Sequence, residues 1–354
     1  MEKSIIWGSG EQGYHTYRIP ALAVTNTGAI LSICEGRRDG QGDTGKIDLL
    51  VKRSTDGGVT WSDQALIWAD GGNVCGNPAP IVDHETGVVW LLCTWNLGSD
   101  HERDIIAGTS QDTRRVFVLC SEDDGLTWSE PREITDEVKL PDWTWYATGP
   151  GAGIQLRRGP RAGRLLMACD HIEKESRDYY SHVIMSDDHG MTWRRGGNSP
   201  RPGVNECQLV ELIDGRLLLN MRNESRNIRQ RQEAFSDDGG ETWRDQFVRP
   251  DLFEPICQAS FHRGPSTPEG DPTLLFANPA NPDSRSMLTL RGSTDEGKTW
   301  PHACELQAGP AAYSDLAVRS NGQIMCAYEA GEDNPYERIE MGRISWGELS
   351  GEYV

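Results

Sequence analysis

The stretch STDGGVTW, residues 54–61, is the first of five copies of one pattern, Ser-x-Asp-x-Gly-x-Thr-Trp. The other copies are SEDDGLTW (121–128), SDDHGMTW (186–193), SDDGGETW (236–243) and STDEGKTW (293–300). Successive copies begin 67, 65, 50 and 57 residues apart. A repeat of this period indicates an array of similar supersecondary units, as in a propeller or a solenoid.

Turn chemistry explains the pattern, which we call the box. The Asp side chain is expected to accept a hydrogen bond from a backbone N–H two residues on, as in an Asx turn. The Gly permits a positive φ, the Thr re-enters a strand, and the Trp packs between units. Metal binding or acid catalysis by these loops is disfavoured, because five equal copies suit a scaffold and an active site needs unlike residues in one place. Each box therefore predicts a hairpin corner.

Short apolar runs behind turns predict the strands. The predicted runs are Ala29–Cys34, Val88–Thr94, Arg164–Cys169, Arg216–Met221, Thr273–Ala277 and Gln323–Tyr328. Five box-bearing units and a boxless stretch, Tyr313 to Leu349, make about six units. Ser4–Trp7 is expected to complete the last unit and remove an exposed sheet edge. The sequence thus predicts an all-β fold, a six-bladed propeller of four-stranded antiparallel blades, as a single domain over residues 1–354.

Composition narrows the class of protein. Lys and Arg number 35 against 54 Asp and Glu, a net charge of −19, which argues against nucleic acid or anionic membranes as partners. The sequence has no apolar run long enough for a membrane span. Most of the nine cysteines lie in apolar runs, without zinc-site spacing, so we expect buried reduced thiols and no structural metal. We expect a cytoplasmic monomer; the alternative is a secreted or periplasmic protein whose leader lies outside the given sequence.

Short motifs between the boxes carry a family resemblance. They are Tyr17-Arg18-Ile19-Pro20, Glu35-Gly36-Arg37-Arg38 with Asp43 following, Asn77-Pro78, Gly149-Pro150-Gly151, Asn205-Glu206, Asn220-Met221-Arg222, Phe276-Ala277-Asn278-Pro279, Arg285, Tyr313-Ser314 and Tyr328-Glu329. In this order the set resembles the exo-α-sialidases, or neuraminidases, of bacterial and mammalian type. The resemblance covers the whole chain and implies the same six-bladed propeller.

The resemblance implies a clamp for a substrate carboxylate. Arg18, Arg222 and Arg285 would surround that carboxylate, and a guanidinium suits it because it is always charged and can donate two parallel hydrogen bonds. Three converging cations need neutralisation, and Glu329 would orient and offset Arg18. Because the chain is acidic, we expect a locally positive cleft mouth within a negative envelope.

The resemblance also implies the reacting groups. Tyr313 would be the nucleophile and Glu206 its base; sialidases are a recognised tyrosine exception among glycosidases. Asp43 would be the general acid and base, with Asp39 as the competing residue and Asp48 assigned to the next strand. We expect desolvation to raise the pKa of this acid when its flexible loop closes over the bound sugar. Arg37, with Arg38 as the alternative, and also Asn77 and Gln258, would contact the sugar.

The function implied is retaining hydrolysis of terminal, α-ketosidically linked sialic acid from oligosaccharides, glycoproteins or glycolipids, without metal or cofactor. One alternative is a hydrolase or transglycosylase of a related nonulosonic acid, such as deaminated sialic acid. The other is a non-catalytic glycan-binding propeller, since fold alone does not fix activity. The sequence leaves open the linkage preference, the substituent at C5, hydrolysis versus transfer, and the pH optimum.

Overall fold

A computed structural model describes residues 1–225 and 227–352. These residues form four hydrogen-bonded sheets and three short helices. The helices are α1 (Glu102–Ala107), α2 (Thr135–Val138) and α3 (Trp346–Ser350). Within this part of the chain, no helix has the length and apolarity needed to cross a bilayer. The all-β prediction is confirmed, and the helices were not predicted because each is too short to show a helical period.

The first sheet and the second sheet come from the N-terminal half of the chain. The first sheet runs β2 (Thr16–Val24), β3 (Ile30–Arg37), β4 (Ile47–Ser54), β6 (Val74–Val82), β7 (Val89–Asn96), β8 (Arg115–Ser121) and β9 (Arg132–Glu133), and β5 (Ala65–Trp68) pairs with β4. The second runs β10 (Trp143–Thr148), β12 (Leu165–Glu173), β13 (Tyr179–Ser186) and β14 (Arg194–Asn198), and β11 (Ile154–Gln155) pairs with β12. All six predicted apolar runs coincide with observed strands, three of them here.

The C-terminal half forms the other two sheets. The third runs β15 (Val204–Glu211), β16 (Leu217–Asn223), β17 (Gln230–Ser236) and β18 (Arg244–Phe253). The fourth runs β1 (Glu2–Gly8), β24 (Arg338–Ile344), β23 (Ile324–Ala330), β22 (His302–Val318), β21 (Ser286–Ser293), β20 (Leu274–Pro279) and β19 (Ser260–Arg263). The antiparallel pairing of β1 with β24 confirms that the N-terminal strand joins the last strands of the chain.

The five boxes have one hydrogen-bond geometry. In the first box, Asp56 Oδ1 accepts from the Thr60 backbone N–H at 2.9 Å, and Thr60 Oγ1 donates to Asp56 Oδ2 at 2.6 Å. Ser54 Oγ accepts from the Gly58 N–H at 2.9 Å, and Gly58 has φ +80°. The predicted positive φ is confirmed. The predicted two-residue Asx turn is wrong: Asp bonds to the Thr four residues on, because two successive positive-φ residues, Gly57 and Gly58, tighten the corner first.

The box tryptophans pack against the apolar layers between neighbouring strands. Trp193 lies in a cluster that combines residues of β6–β8 with residues of β10, β12 and β13. Five similar clusters join the other successive groups of four strands, including one between β2–β4 and the β1, β23 and β24 group. All nine cysteines are free and seven are buried, as expected from their apolar surroundings.

The third box gives a stability prediction at Gly190. A Cβ there would lie 2.2 Å from Trp90 Cε2, and Gly190 has φ +88°. Gly190→Ala should therefore lower the free energy of unfolding by about 2 to 4 kcal/mol, measured by denaturant titration. Gly28→Ala is the matched control: Gly28 has φ +87° but no atom within 4 Å of its Cβ position, so about 1 kcal/mol is expected. Equal losses would contradict the packing argument.

Candidate active site

Five inner strands, β2, β6, β10, β15 and β22, contribute side chains to one cleft of about 220 Å³. Arg18 comes from β2, Asn77 from β6, Glu206 from β15 and Tyr313 from β22. Arg37, Asp43 and Arg285 complete the predicted set around the same space. The structure thus brings together residues that are up to about 300 positions apart in the sequence.

The inner strands are irregular where they meet the cleft. The pairing register of β2 shifts between Arg18 and Ala21, and Ile19 has φ +56°, an uncommon value for a β-branched residue. Register shifts also surround Asn77, Glu206 and Tyr313. In β2 and β6 the sequence cause is Pro20 and Pro78, which cannot donate a ladder hydrogen bond. Such bulges re-aim side chains, and they are frequent next to active sites.

Three guanidinium groups converge on the Tyr313 ring. The Cζ atoms of Arg18 and Arg285 lie 5.3 and 5.4 Å from the ring centroid. Arg222 Nη1 lies 3.1 Å from the Tyr313 hydroxyl oxygen, to which it donates. The three predicted arginines therefore lie together around Tyr313 in the cleft.

Glu329 supports this cluster from behind. It is fully buried and accepts from Arg18 Nε at 3.0 Å and Arg18 Nη2 at 3.3 Å. Its two oxygens also accept from the backbone N–H groups of Ile19 and Tyr313, at 2.9 and 3.1 Å. Burial alone would lower the pKa of Arg18, but Glu329 reverses this and the pKa rises above its usual value. One carboxylate thus fixes the clamp arginine and the strand that carries Tyr313.

Arg222 and Arg285 are neutralised to different degrees. Arg222 pairs with Glu206 at 2.5 Å and with Glu224 at 3.0 Å. Arg285 Nη1 donates to the Tyr336 hydroxyl at 2.8 Å, and its other bond is to a backbone carbonyl. No carboxylate pairs with Arg285 among residues 1–225 and 227–352. Arg285 therefore offers the least compensated positive charge in the clamp.

Tyr313 and Glu206 form a direct pair. The Tyr313 hydroxyl donates to Glu206 Oε1 at 2.5 Å, and both residues are buried. Burial and then Glu206 raise the pKa of Tyr313 well above its usual value, against the lowering effect of Arg222 and Arg285. The phenol is thus held neutral beside a base placed to remove its proton.

Asp43 lines the same cleft, and its side chain is 59% exposed. Its Oδ1 is 2.7 Å from Arg37 Nη1 and 3.8 Å from Arg18 Nη1. The alternatives lie elsewhere: Arg38 pairs with the buried Asp48 of β4 at 3.2 Å, and Asp39 does not line the cleft. The structure therefore places Arg37, and not Arg38, in the cleft. It likewise places Asp43 there, and not Asp39.

The pKa of Asp43 is lowered in this structure, and the predicted rise on closure over the sugar stays a prediction. Burial alone would raise this pKa, but Arg37 and then Arg18 outweigh it, so the pKa lies below its usual value. The physical reason is that both guanidinium groups face Asp43 and favour its charged form. A raised pKa would require a bound sugar that occupies Arg18 and excludes water.

A pH profile tests this coupling. Arg37→Ala removes the cation that lowers the pKa of Asp43 most. The charged form of Asp43 is then less stabilised, so the pKa of Asp43 rises. If Asp43 is the general acid, the fall of kcat/KM on the alkaline side should move to higher pH, by about 1 unit. The profile should be measured with an unactivated sugar leaving group. Arg38→Ala is the control, and an equal shift in both variants would contradict the coupling.

The last two predicted sugar contacts have different outcomes. Asn77 lines the cleft, and its Oδ1 accepts from Thr94 Oγ1 at 3.1 Å and from Arg114. Gln258 does not line the cleft and is 2% exposed. Its amide bonds both the N–H and the carbonyl of Ser314, at 3.0 and 2.9 Å. The prediction for Gln258 is therefore corrected: its hydrogen-bonding groups are used to fix the backbone next to Tyr313.

Sequence reasoning missed several cleft residues. Arg114 lies with its Cζ 4.1 Å from the centroid of the Trp145 ring, and Glu102 and Asp170 line the same wall. Glu35 was quoted only as part of a motif, yet it pairs with Arg37 at 2.6 Å and accepts from the Asn77 N–H at 2.8 Å. The available signals were an Asp directly after the apolar run Arg164–Cys169 and paired Arg residues at 114–115 before an apolar strand. With these residues the cleft has five arginines and five carboxyl groups, a less negative balance than the chain as a whole.

A larger cavity, of about 450 Å³, lies at the other ends of the inner strands. The buried Asp315 lines neither space and accepts from the N–H of Leu22, a residue of this cavity, at 2.8 Å and from Gln208 Nε2 at 2.9 Å. None of the predicted catalytic or sugar-binding residues lines it. We therefore assign the chemistry to the smaller, more polar cleft.

Comparisons with known proteins show the family of this chain. A family profile described as a BNR repeat-like domain matches residues 30–326. A sialidase of Micromonospora viridifaciens is 36% identical over 348 residues, covering 94% of this chain and 53% of that protein. Mouse Sialidase-3 is 30% identical over 399 residues, covering 95% of this chain and 93% of that protein. The chain spans about half the length of the first relative.

Solved structures give the same result for the fold. The Hadza microbial sialidase Hz136 superposes with a TM-score of 0.88 at 31% identity, over 98% of this chain and 69% of that one. A leech intramolecular trans-sialidase, solved with 2,7-anhydro-Neu5Ac, superposes with a TM-score of 0.84 at 20% identity, over 100% of this chain and 71% of that one. The second similarity concerns the fold alone.

Proposed function

Because the chain belongs to the sialidase family, we propose that it is an exo-α-sialidase. It would release terminal, α-ketosidically linked sialic acid from oligosaccharides, glycoproteins or glycolipids, with retention of configuration. The observation that carries the proposal is the meeting of Arg18, Arg222 and Arg285 around a phenol that is bonded to a buried base. A glycan-binding module would have no use for this phenol–base pair.

The first step would be formation of a tyrosyl–sugar bond. The three arginines hold the sugar carboxylate on the reacting carbon. Asp43, protonated in the complex, gives its proton to the aglycone oxygen as the glycosidic bond breaks. Glu206 takes the Tyr313 proton, and the Tyr313 oxygen bonds to the sugar carbon. A neutral phenol avoids the repulsion that a carboxylate nucleophile would experience from the substrate carboxylate.

The second step would be hydrolysis of that bond. Water attacks the same carbon, and Asp43, now ionised, takes a proton from the water. The Tyr313 oxygen leaves and recovers its proton from Glu206. Two displacements at one carbon retain its configuration. All proton transfers use side chains of this cleft, so no cofactor enters the scheme.

We also propose that the four sheets are six blades of one propeller domain. The long β22 pairs with β21 through its first part and with β23 through its second part, so it links two four-stranded groups. A single parallel pair, Ile47 with Val74, links β4 to β6. The six apolar clusters between successive groups support a closed ring with the cleft on its axis.

We propose a cytoplasmic monomer on the expectations given above.

The proposal is tested by incubating the purified chain with 3′- and 6′-sialyllactose and following free sialic acid by chromatography. Release of the free sugar is expected, and proton NMR should show the α-anomer first. A first-formed β-anomer would contradict retention. Formation of an anhydro sugar or transfer to added lactose would favour the transglycosylase alternative. Tight binding without any release would favour the glycan-binding alternative.

A further inference from the structure

One wall of the cleft carries a carboxyl group that the proposed mechanism does not use. Asp170 lies on β12, is 1% exposed and lines the cleft. Its cross-strand neighbour on β10 is Ala147, which also lines the cleft. Because Ala147 has only a methyl group, Asp170 on the next strand can reach the cavity past it.

Neither oxygen of Asp170 has a hydrogen-bond partner among the described residues. The nearby arginines donate elsewhere: Arg114 to Asn96 and Thr94 at 3.0 and 2.9 Å, and Arg222 to Glu206 and Tyr313. Burying a carboxyl group without donors is costly. Its pKa is accordingly raised well above its usual range, first by burial and then by Glu206.

A second acceptor lies on the same wall. Asn205, next to Glu206 on β15, lines the cleft, and its Oδ1 is buried without a hydrogen-bond partner within the described residues. We call Asp170 and Asn205 the acceptor wall. Together they have three oxygens without hydrogen-bond partners beside the clamp and the nucleophile, and in the neutral form of Asp170 one of these oxygens carries a proton while the others accept. Buried acceptors of this kind normally have partners, so a ligand with donors fits them.

We propose that the acceptor wall binds hydroxyl or N–H donors of the sugar, and that Asp170 is a substrate-binding residue that determines specificity. This inference rests on the proposed function and extends it to the substrate. A sialic acid has donors of both kinds, on its C5 amide and on its polyhydroxylated side chain. An analogue without the matching donor leaves the acceptors of such a site unpaired, which lowers its kcat/KM strongly. The loss is larger than the loss caused by one missing methylene in an apolar pocket.

The test measures coupling between Asp170 and the sugar donors. Three sialosides with one aglycone are compared: the intact sugar, an analogue with hydrogen at C5 in place of the acetamido group, and an analogue with its side chain shortened to one hydroxymethyl group. Asp170→Ala should lower kcat/KM for the intact sugar by on the order of 10- to 100-fold. For the analogue that lacks the bound donor, the further loss should be less than about threefold. The analogue that shows this coupling identifies the donor.

Stability provides the second readout. Asp170→Ala and Asp170→Asn should both keep or raise the melting temperature, because each removes a buried, unpartnered carboxyl group. Asp136→Asn, an exposed aspartate on α2, is the control for a loss of charge and should change neither readout. Equal losses of kcat/KM on all three sugars, or a lower melting temperature in both Asp170 variants, would overturn the proposal.

Failure of the proposed function would look different. The parent chain would then release none of the three sugars. In that case calorimetric binding of free sialic acid to the parent and to Asp170→Ala still decides the inference. Weaker binding to the variant supports the acceptor wall, and unchanged binding rejects it.

Discussion

Tyr313→Phe is expected to lower kcat by about 10³-fold or more while leaving the affinity for a sialic acid analogue within about threefold. The variant keeps the aromatic ring that lies beside Arg18 and Arg285 but removes the oxygen that bonds Glu206. The loss therefore falls on the chemical step. Single-turnover kinetics and calorimetric binding of an inhibitor separate the two quantities.

Tyr336→Phe is the matched control for this variant. Its phenol ring stacks on the Arg18 guanidinium at 4.1 Å and its hydroxyl accepts from Arg285 at 2.8 Å, so the change removes the same atom from the same clamp. We expect a loss of less than about tenfold, mainly in KM, since one hydrogen bond is lost. Similar losses of kcat in the two variants would show that Tyr313 supports the clamp and is not the nucleophile.

Arg285→Ala is expected to lower kcat/KM by about 10²- to 10³-fold, with most of the effect in KM. Arg285 is the clamp arginine without a carboxylate partner in the described part of the chain, so its charge is the one most available to an anionic ligand. Its pKa is raised, first by the Cys257 thiol and then by the Tyr313 and Tyr336 phenols, so it stays charged throughout the working pH range.

A substrate with a neutral carboxamide in place of its carboxylate isolates the charge interaction. The parent chain should process it poorly, and Arg285→Ala should add little further loss, because the interaction is already absent. Arg216→Ala provides the control for removing an arginine outside the cleft, which pairs with Asp214 and lies over the Phe235 ring. A loss of the same size on both substrates would contradict a role in binding the carboxylate.

The scaffold was predictable because it repeats. The five boxes predicted the hairpin corners, because one turn chemistry is used at every corner. The Gly-containing turns marked where the strands between the boxes begin. The detailed geometry of the box was not predictable: the Asp-to-Thr bonds span four residues because two positive-φ positions precede them. The joining of β1 to the last strands of the chain followed from the need to close a sheet edge, and its register did not.

The site was predictable only through motifs that resemble a known family. Composition and periodicity do not reveal that Glu206 and Tyr313 meet, because they lie 107 positions apart. Gln258 was misassigned because sequence spacing cannot distinguish a side chain in the cleft from one that bonds the backbone behind it. Asp170 was missed because burial, and not sequence, distinguishes an unpartnered carboxyl group from a solvated one.

The central claim is that Tyr313 attacks the sugar inside the arginine clamp. A fluorinated sialic acid, whose electron-poor glycosyl intermediate hydrolyses slowly, should trap the parent chain as a covalent adduct. Peptide mass spectrometry should then find one sugar on Tyr313, and none after Tyr313→Phe. An adduct on Glu206 or Asp43, or an adduct that persists in Tyr313→Phe, would contradict the account.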